Sequence, residues 1–209
     1  MMSLAQQPLL RKERERLAKR QEIVNAARQV FAQKGYDHAT LDEIAAKAEF
    51  AKGTLYNYFD SKETLFREIV SAMLDDLARI AEVAMEGGGS LRERFLRYAT
   101  QTMEYHKKNE DLQRILAREL NRMQLEVGLV PIMQRLRGIA DILGSALKKE
   151  INKRTIVREE PTELAFVFLG MVHNRTLRRS FEGKGLSEFE PEREAHFLVQ
   201  LFFQGCEVA

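Results

Sequence analysis

Hydrogen-bond donors are concentrated in one short segment of the chain, KGTLYNYF at residues 52–59. Thr54, Asn57 and Tyr58 can share one face of a helix, because they are spaced three and four residues apart. An asparagine amide can form two hydrogen bonds with an adenine, and a lysine such as Lys52 can donate to a guanine. These residues at this spacing favour a helix that reads base edges in DNA.

The opposite face of the segment carries Leu55 and Phe59, which are expected to pack against a supporting helix. Gly53 has no side chain and lets the backbone approach a groove closely. Tyr56 and Tyr58 have an alternative role, because amphipathic tyrosines also pack with their hydroxyl groups in water.

A second short helical pattern precedes this segment and would support it. Thr40 and Glu43 have the spacing of a capping box, in which each side chain satisfies a backbone N–H of the other residue. Two short helices across a turn of three or four residues form a helix-turn-helix. The supporting helix has one apolar face, made of Leu41, Ile44, Ala45 and Ala48.

Positive charge is concentrated beside this unit. Residues 1–62 contain 11 Lys/Arg and 8 Asp/Glu, whereas the rest of the chain contains 22 and 23. We predict a basic arm at residues 1–20 that follows phosphates or enters a minor groove. The alternative is a solvated helix face or a mobile terminus, because anions are mixed into the run. The cations of the arm are Arg11, Lys12, Arg14, Arg16, Lys19 and Arg20.

The hydrophobic periodicity along the chain predicts an all-α protein with about nine helices. The first helix is expected at about residues 17–34 and ends at Gly35. A long helix of about 25 residues begins at Asp60–Ser61 and ends at the three glycines 87–89. The starts of later helices are marked by Ser90, Pro131, Pro161 and Pro191.

The stretch from Ile23 to Phe66 resembles the DNA-binding head of the TetR family of bacterial transcriptional regulators. The motifs that carry the resemblance are F-x-x-K-G-Y, T-L-D-E-I-A-x-x-A and K-G-T-L-Y-x-Y-F-x-S-K-E-x-L. The resemblance implies a helix-turn-helix domain at residues 21–62. It also implies a helical effector-binding and dimerisation body at residues 63–209, which is similar to the family in architecture alone.

The resemblance also implies which residues of the head contact DNA. Base edges are expected to be met by Lys52, Gly53, Thr54 and Asn57. Phosphates are expected to be held by Thr40, Tyr56, Tyr58 and Lys62. Lys62 begins the long helix, where its ammonium and the free backbone N–H groups can both meet a phosphate.

Two helices near the end of the chain carry more apolar surface than one small body would cover. The run LAFVFLGMV at residues 164–172 is apolar all round, and the last helix has a second wide apolar face. A symmetric homodimer in which both helices meet their copies would cover them. The alternative is that both are core helices of a monomer. The predicted interface residues are Phe168, Val172, Leu198, Leu201 and Phe202.

The family resemblance implies a pocket for a small effector in the body. For each candidate, packing in the core is the alternative. His106 and His173 could orient a ligand through hydrogen bonds, and a buried Asn174 would need a polar partner. The candidates are Phe95, Tyr98, Met103, His106, Met123, Met133, Phe166, Met171, His173 and Asn174.

Catalysis and membrane insertion find little support. The four histidines lie apart from one another without zinc-ligand spacing, and no G-x-S-x-G motif occurs. No cofactor or metal is therefore expected. A single cysteine, Cys206, and the lack of a long apolar run suit a cytoplasmic protein.

Together these features predict a homodimeric transcriptional regulator of double-stranded DNA, and a repressor released by a small molecule is the favoured form. One alternative is an activator or a regulator without an effector. Another is an α-helical binding or adaptor module whose head is vestigial.

Overall fold

The computed structural model describes residues 11–122, 129–153, 155–157 and 159–206. The helices within these ranges number nine, which confirms the predicted all-α fold. None of them is long and apolar enough to cross a bilayer. They are α1 (Arg11–Lys34), α2 (Leu41–Lys47), α3 (Lys52–Tyr56), α4 (Lys62–Glu86), α5 (Leu91–Lys108), α6 (Glu110–Arg122), α7 (Leu129–Lys153), α8 (Pro161–Phe181) and α9 (Pro191–Cys206).

The chain divides into two compact units within α4. The first unit ends at Ile69 and the second begins at Val70. The domain boundary predicted from the sequence lies between residues 62 and 63, at the start of the same helix. We call the two units the head and the body.

The first helix begins at Arg11, earlier than its predicted start at residue 17. Its first turns are rich in good helix formers, and Arg11 Nε pairs with Glu15 Oε1 at 2.8 Å one turn later. Residues 11–19 are exposed, as expected for a solvated helix face. Residues 1–10 of the predicted arm lie outside the described residues.

An aromatic cluster fixes the end of α1 against the start of α4 inside the head. The ring of Tyr36 lies 5.4 Å from that of Phe31 and 5.2 Å from that of Phe66, measured between centroids. The chain reaches this position through Gly35, which has a φ of 80° and donates its N–H to the Phe31 carbonyl at 2.9 Å. Glycine adopts this conformation without strain, so the predicted helix stop is confirmed.

A second aromatic cluster forms the core of the body, between α5, α8 and α9. The Phe168 ring lies 4.9 Å from Phe95 and 5.0 Å from Phe202, and the Phe203 ring lies 5.5 Å from Phe95. All four rings are buried. The chain therefore covers much of the apolar surface of α8 and α9 by itself.

The predicted helix starts in the body are largely confirmed. Ser90 and Glu93 form a capping box at the start of α5, and Pro161 is the first residue of α8. Helix α7 begins at Leu129, slightly earlier than Pro131 indicates, but the proline still lies in the first turn, where it costs no helical hydrogen bond.

Candidate nucleic-acid interface and internal cavity

The start of α2 is held by the predicted capping box. Thr40 Oγ1 accepts a hydrogen bond from the Glu43 N–H at 3.2 Å, and Glu43 Oε2 accepts one from the Thr40 N–H at 3.1 Å. The Glu43 carboxylate also accepts from Lys34 Nζ at 2.6 Å. The hydrogen bond from Lys34 contributes most, and that from the Thr40 backbone comes next, to holding the pKa of Glu43 below its usual value. These contacts fix the N-terminus of α2.

The turn between α2 and α3 contains a residue in the left-handed region. Glu49 has a φ of 59° at the position after the cap of α2. Its N–H donates to the Ala46 carbonyl at 3.1 Å, and the Phe50 N–H donates to the Ala45 carbonyl at 2.9 Å. This pair of bonds is a Schellman motif, which ends α2 and sets the direction of α3.

Helix α3 buries one side and exposes the other. It spans Lys52–Tyr56 and is shorter than the predicted helix, which runs to residue 59. Leu55 and Phe59 are fully buried, as their spacing predicts. The N–H groups of Tyr58 and Phe59 both donate to the Leu55 carbonyl, at 2.9 and 3.0 Å, so the chain tightens after the helix.

The predicted DNA-contacting residues between Lys52 and Tyr58 lie on or beside the exposed side of α3. Asn57 caps the C-terminus of the helix in a helical conformation and is exposed. The Tyr56 side chain is 41% exposed, and Thr54 and Tyr58 are half-buried. A Cβ added at Gly53 would meet no atom within 4 Å, so this part of the helix faces open space.

Lys52 pairs with an acidic residue of the supporting helix. Its Nζ lies 2.8 Å from Asp42 Oδ2, and both side chains are more than half exposed. The hydrogen bond to Asp42 raises the pKa of Lys52 above its usual value. Exposed ion pairs of this kind are weak, so the ammonium can exchange the carboxylate for a base or a phosphate.

The Lys62 ammonium binds backbone carbonyls within the head. Its Nζ donates to the carbonyl oxygens of Tyr36 at 2.7 Å, Ala39 at 3.1 Å and Asp37 at 3.3 Å. It also lies 4.4 Å from the centroid of the Tyr36 ring. These contacts use all three of its protons and close the loop between α1 and α2. The predicted phosphate contact of Lys62 would have to replace some of them.

Arg20 is turned toward the core of the head. Its guanidinium pairs with the Glu68 carboxylate and lies 4.7 Å from the centroid of the Phe59 ring. This cation of the predicted arm therefore supports the residue that anchors the end of α3.

The body contains a largely apolar cavity of about 360 Å³. Four of the predicted pocket residues line it, namely His106, Met133, Phe166 and His173. Its other lining residues are Met73, Leu74, Leu77, Gln113, Ile132, Leu136, Leu169, Gly170 and Leu177.

The other predicted pocket residues lie elsewhere. Phe95, Tyr98 and Met103 are fully buried in the core, because their faces of α5 turn toward the helices packed around it. Met171 is half-buried and does not line the cavity as described. Asn174 is exposed and does not line the cavity as described. Met123 lies outside the described residues.

Three polar side chains at the cavity wall form a hydrogen-bonded row. Gln113 Nε2 lies 2.6 Å from His106 Nδ1, and His106 Nε2 lies 2.9 Å from His173 Nδ1. Burial lowers the pKa of His106 well below its usual value and that of His173 to about 4. Both imidazoles are therefore neutral near pH 7.

The sequence of the head matches a known family profile. The profile described as "Bacterial regulatory proteins, tetR family" matches residues 23–69, which include α2, α3 and the start of α4. Residues 23–69 are therefore a DNA-binding head of the TetR type. Members of this family are transcriptional regulators, so the head is a DNA-binding domain of a transcriptional regulator.

Two curated relatives are named as transcriptional regulators of the helix-turn-helix type. The HTH-type transcriptional regulator YhgD of Bacillus subtilis is 29% identical over 151 residues, which cover 70% of this chain and 76% of YhgD. The HTH-type transcriptional repressor DhaR of a Mycobacterium species is 36% identical over 67 residues. That match covers 32% of this chain and 34% of DhaR, so it concerns the head.

The fold of the chain, beyond the head, has solved counterparts. The structure of the regulator FadR from Bacillus subtilis in complex with stearoyl-CoA superposes with a TM-score of 0.74. The alignment covers 88% of this chain and 98% of FadR at 17% sequence identity, which supports a common fold.

Most of the predicted interface residues are buried within the chain, and other apolar side chains of α8 and α9 are exposed. Phe168, Val172, Leu198 and Phe202 are buried within the chain, because they contact the core formed with α5. Of the predicted set, Leu201 is exposed, at 51%. The other large apolar side chains exposed on these two helices are Val167 at 57%, Phe181 at 56% and Phe197 at 54%. We call Val167, Phe197 and Leu201 the outer face of α8 and α9.

Two sets of contacts were not predicted from the sequence: the hydrogen bond of Gln113 to His106, and the hydrogen bonds of Lys62 to three backbone carbonyls. Gln113 follows His106 by seven residues, a spacing that would place both on one face of a continuous helix. The spacing does not predict the contact, because α5 and α6 are separate helices and helical periodicity is not expected to continue across the break between them. The sequence offers no local signal for the Lys62 contacts, which join residues far apart along the chain.

Proposed function

We propose that this TetR-family regulator is a homodimeric repressor that binds a pseudo-palindromic operator and is released by a small molecule. The observation that carries the proposal is that α3 has one side buried in the head and one side exposed. Leu55 and Phe59 anchor the helix, while Lys52, Gly53 and Asn57 remain exposed for a major groove.

The proposed base contacts are those of Lys52, Gly53, Thr54 and Asn57. The Tyr56 and Tyr58 hydroxyls and the capped turn at Thr40 would donate to phosphates on either side of the groove. At Lys62 we assign the phosphate contact to the backbone N–H of Lys62 itself, since the ammonium is occupied by carbonyls. The Thr64 N–H of the same turn already donates to Ser61 Oγ at 3.2 Å.

A homodimer would place two heads on two half-sites about 34–36 Å apart, one turn of duplex. The outer face of α8 and α9 supports such a dimer, because it offers Val167, Phe197 and Leu201 on adjacent helices. Repression, in preference to activation, is supported by the name of DhaR, which shares the head. The protein would then act in the cytoplasm, where it has access to the chromosome.

Ligand release is supported by the cavity and by the course of α4. Met73, Leu74 and Leu77 of this helix line the cavity, and the first turns of the same helix belong to the head. A ligand that binds better to one position of α4 than to another would shift the equilibrium between head spacings. The FadR structure with stearoyl-CoA supports ligand binding by this fold.

A gel-shift experiment with DNA flanking its own gene tests the proposal. We expect a shift of one fragment that persists at a salt concentration which abolishes binding to unrelated DNA of equal length. A protein with a vestigial head would shift both fragments equally or neither. Sedimentation of the complex should give two chains per operator.

A further inference from the structure

The row of polar side chains at the cavity wall has a direction. Gln113 Nε2 donates to His106 Nδ1, so the proton of the neutral His106 ring resides on Nε2. That Nε2–H donates to His173 Nδ1, which places the proton of His173 on its own Nε2. The side-chain amide thus sets the tautomers of two successive imidazoles.

The row ends in a donor without a partner. His173 Nε2 is buried and has no hydrogen-bond partner among the described residues. A buried polar group in this state is costly, and such a group commonly marks the position of a ligand or a water molecule. His173 itself lines the cavity, beside the apolar side chains of Phe166 and Leu169.

The rest of the cavity limits what it can bind. Its described lining contains no Lys, Arg, Asp or Glu, and the only polar side chains are those of the row. A charged group placed against this lining would meet no counter-charge among the described residues. A volume of about 360 Å³ lies at the lower end of the range of small-molecule sites.

We propose that the cavity binds an uncharged, mainly apolar small molecule whose single carbonyl, ester or ether oxygen accepts a hydrogen bond from His173 Nε2. This inference rests on the proposed function only in that this molecule would be the releasing ligand. Binding and selectivity follow from the cavity alone and can be measured without DNA.

The opposite orientation of the Gln113 amide would reverse the row. Gln113 Oε1 would then accept from His106 Nδ1–H, and His173 Nε2 would become an acceptor that selects alcohols or amines. The two orientations make opposite predictions for ligand selectivity.

Calorimetric titration of the full chain with an isosteric pair of probes tests the proposal. Butyrophenone carries a carbonyl, and 2-phenyl-1-pentene carries a C=CH₂ group of the same shape in its place. We expect butyrophenone to bind about tenfold more tightly, the size of one neutral hydrogen bond to a buried donor. The anion 4-phenylbutyrate should bind more weakly than butyrophenone. Equal affinity for the isosteric pair, binding of neither, or a preference for the related alcohol 1-phenyl-1-butanol would overturn the proposal.

Two further measurements test whether the preference for the ketone comes from the hydrogen-bonded row or from apolar packing in the cavity. Histidine ¹⁵N NMR of the wild-type chain should show His173 protonated at Nε2, with a shift change on adding butyrophenone and a smaller one with the alkene. The variant Gln113→Leu should reduce the preference for the ketone, because it no longer fixes the tautomer of His106. The variant Gln101→Leu makes the same replacement on α5 outside the cavity lining, so it is the matched control and should keep the preference.

The outcome is independent of the DNA-binding proposal. If butyrophenone binds selectively but leaves the gel shift unchanged, the ligand inference holds and ligand release fails. If the operator is bound but the probes show no selectivity, the inference fails and the regulator assignment is unaffected.

Discussion

Lys62 Nζ lies 2.7 Å from the carbonyl oxygen of Tyr36, at the junction of the α1–α2 loop and the start of α4. The Tyr36 hydroxyl in turn donates to Glu63 Oε1 at 2.9 Å. These two residues therefore tie the loop that precedes the helix-turn-helix to the helix that follows it.

The first prediction concerns the role of this lysine. Lys62→Met removes a charged donor from three carbonyls and should lower the free energy of unfolding by roughly 2 kcal/mol, as measured in urea. The salt dependence of DNA binding should stay the same, because the ammonium does not neutralise a phosphate. A slope reduced by about 0.9 would instead show a direct phosphate contact. Lys47→Met, at an exposed position of α2, is the control for stability.

Gly53 provides a test of close backbone approach. The space around a Cβ at this position is empty in the free protein, so Gly53→Ala should leave the stability unchanged or raise it by up to about 1 kcal/mol. Affinity for the operator should fall, since the methyl group would separate α3 from the groove. Thermal unfolding and fluorescence anisotropy measure the two effects. Unchanged affinity would show that α3 keeps its distance from the bases at this residue.

A charged substitution on the outer face of α8 and α9 should dissociate the proposed dimer. Leu201→Glu should yield monomers in sedimentation equilibrium and keep the helical content, because the side chain is exposed. Phe202→Glu should instead unfold the body, because that ring is only 4% exposed and packs on Phe95 and Phe168. Dimers of a folded Leu201→Glu variant would place the interface elsewhere.

The buried histidines predict a loss of stability in acid. The folded pKa values of His106 and His173 lie below the value of about 6.5 for an unfolded histidine. The unfolded chain therefore binds more protons than the folded chain below pH 6.5, and stability falls as the pH decreases toward about 4. Between pH 7.5 and 5 we expect a loss of roughly 2 kcal/mol from His173 alone. His173→Phe should flatten this part of the pH profile measured by urea unfolding.

The local features of the fold could be predicted from the sequence. Capping boxes at Thr40 and Ser90, the stop at Gly35 and the start at Pro161 depend on residues within one turn of each other. Short-range geometry determines them, so the residue types suffice. Glu49 is an exception, because the turn forces it into a conformation that its residue type does not indicate.

The details of the two sites could not be predicted, because they depend on contacts between distant residues. Residues 164–172 are apolar all round, so periodicity alone does not show which side faces the core and which side faces solvent. The predicted interface was therefore placed on Phe168 and Phe202, which are buried, and not on Val167. The contact between His106 and His173 likewise joins positions 67 residues apart.

Selection of bound sequences from a random duplex library by the purified protein tests the central claim most directly. We predict a two-fold symmetric motif whose half-sites lie one helical turn apart, enriched at a salt concentration that abolishes non-specific binding. Asn57→Ala should select the same motif with relaxed preference at one symmetric base pair, with a cost of about 1–3 kcal/mol at that position. A library without an enriched motif, or a motif that Asn57→Ala leaves unchanged at every position, would contradict base reading by α3.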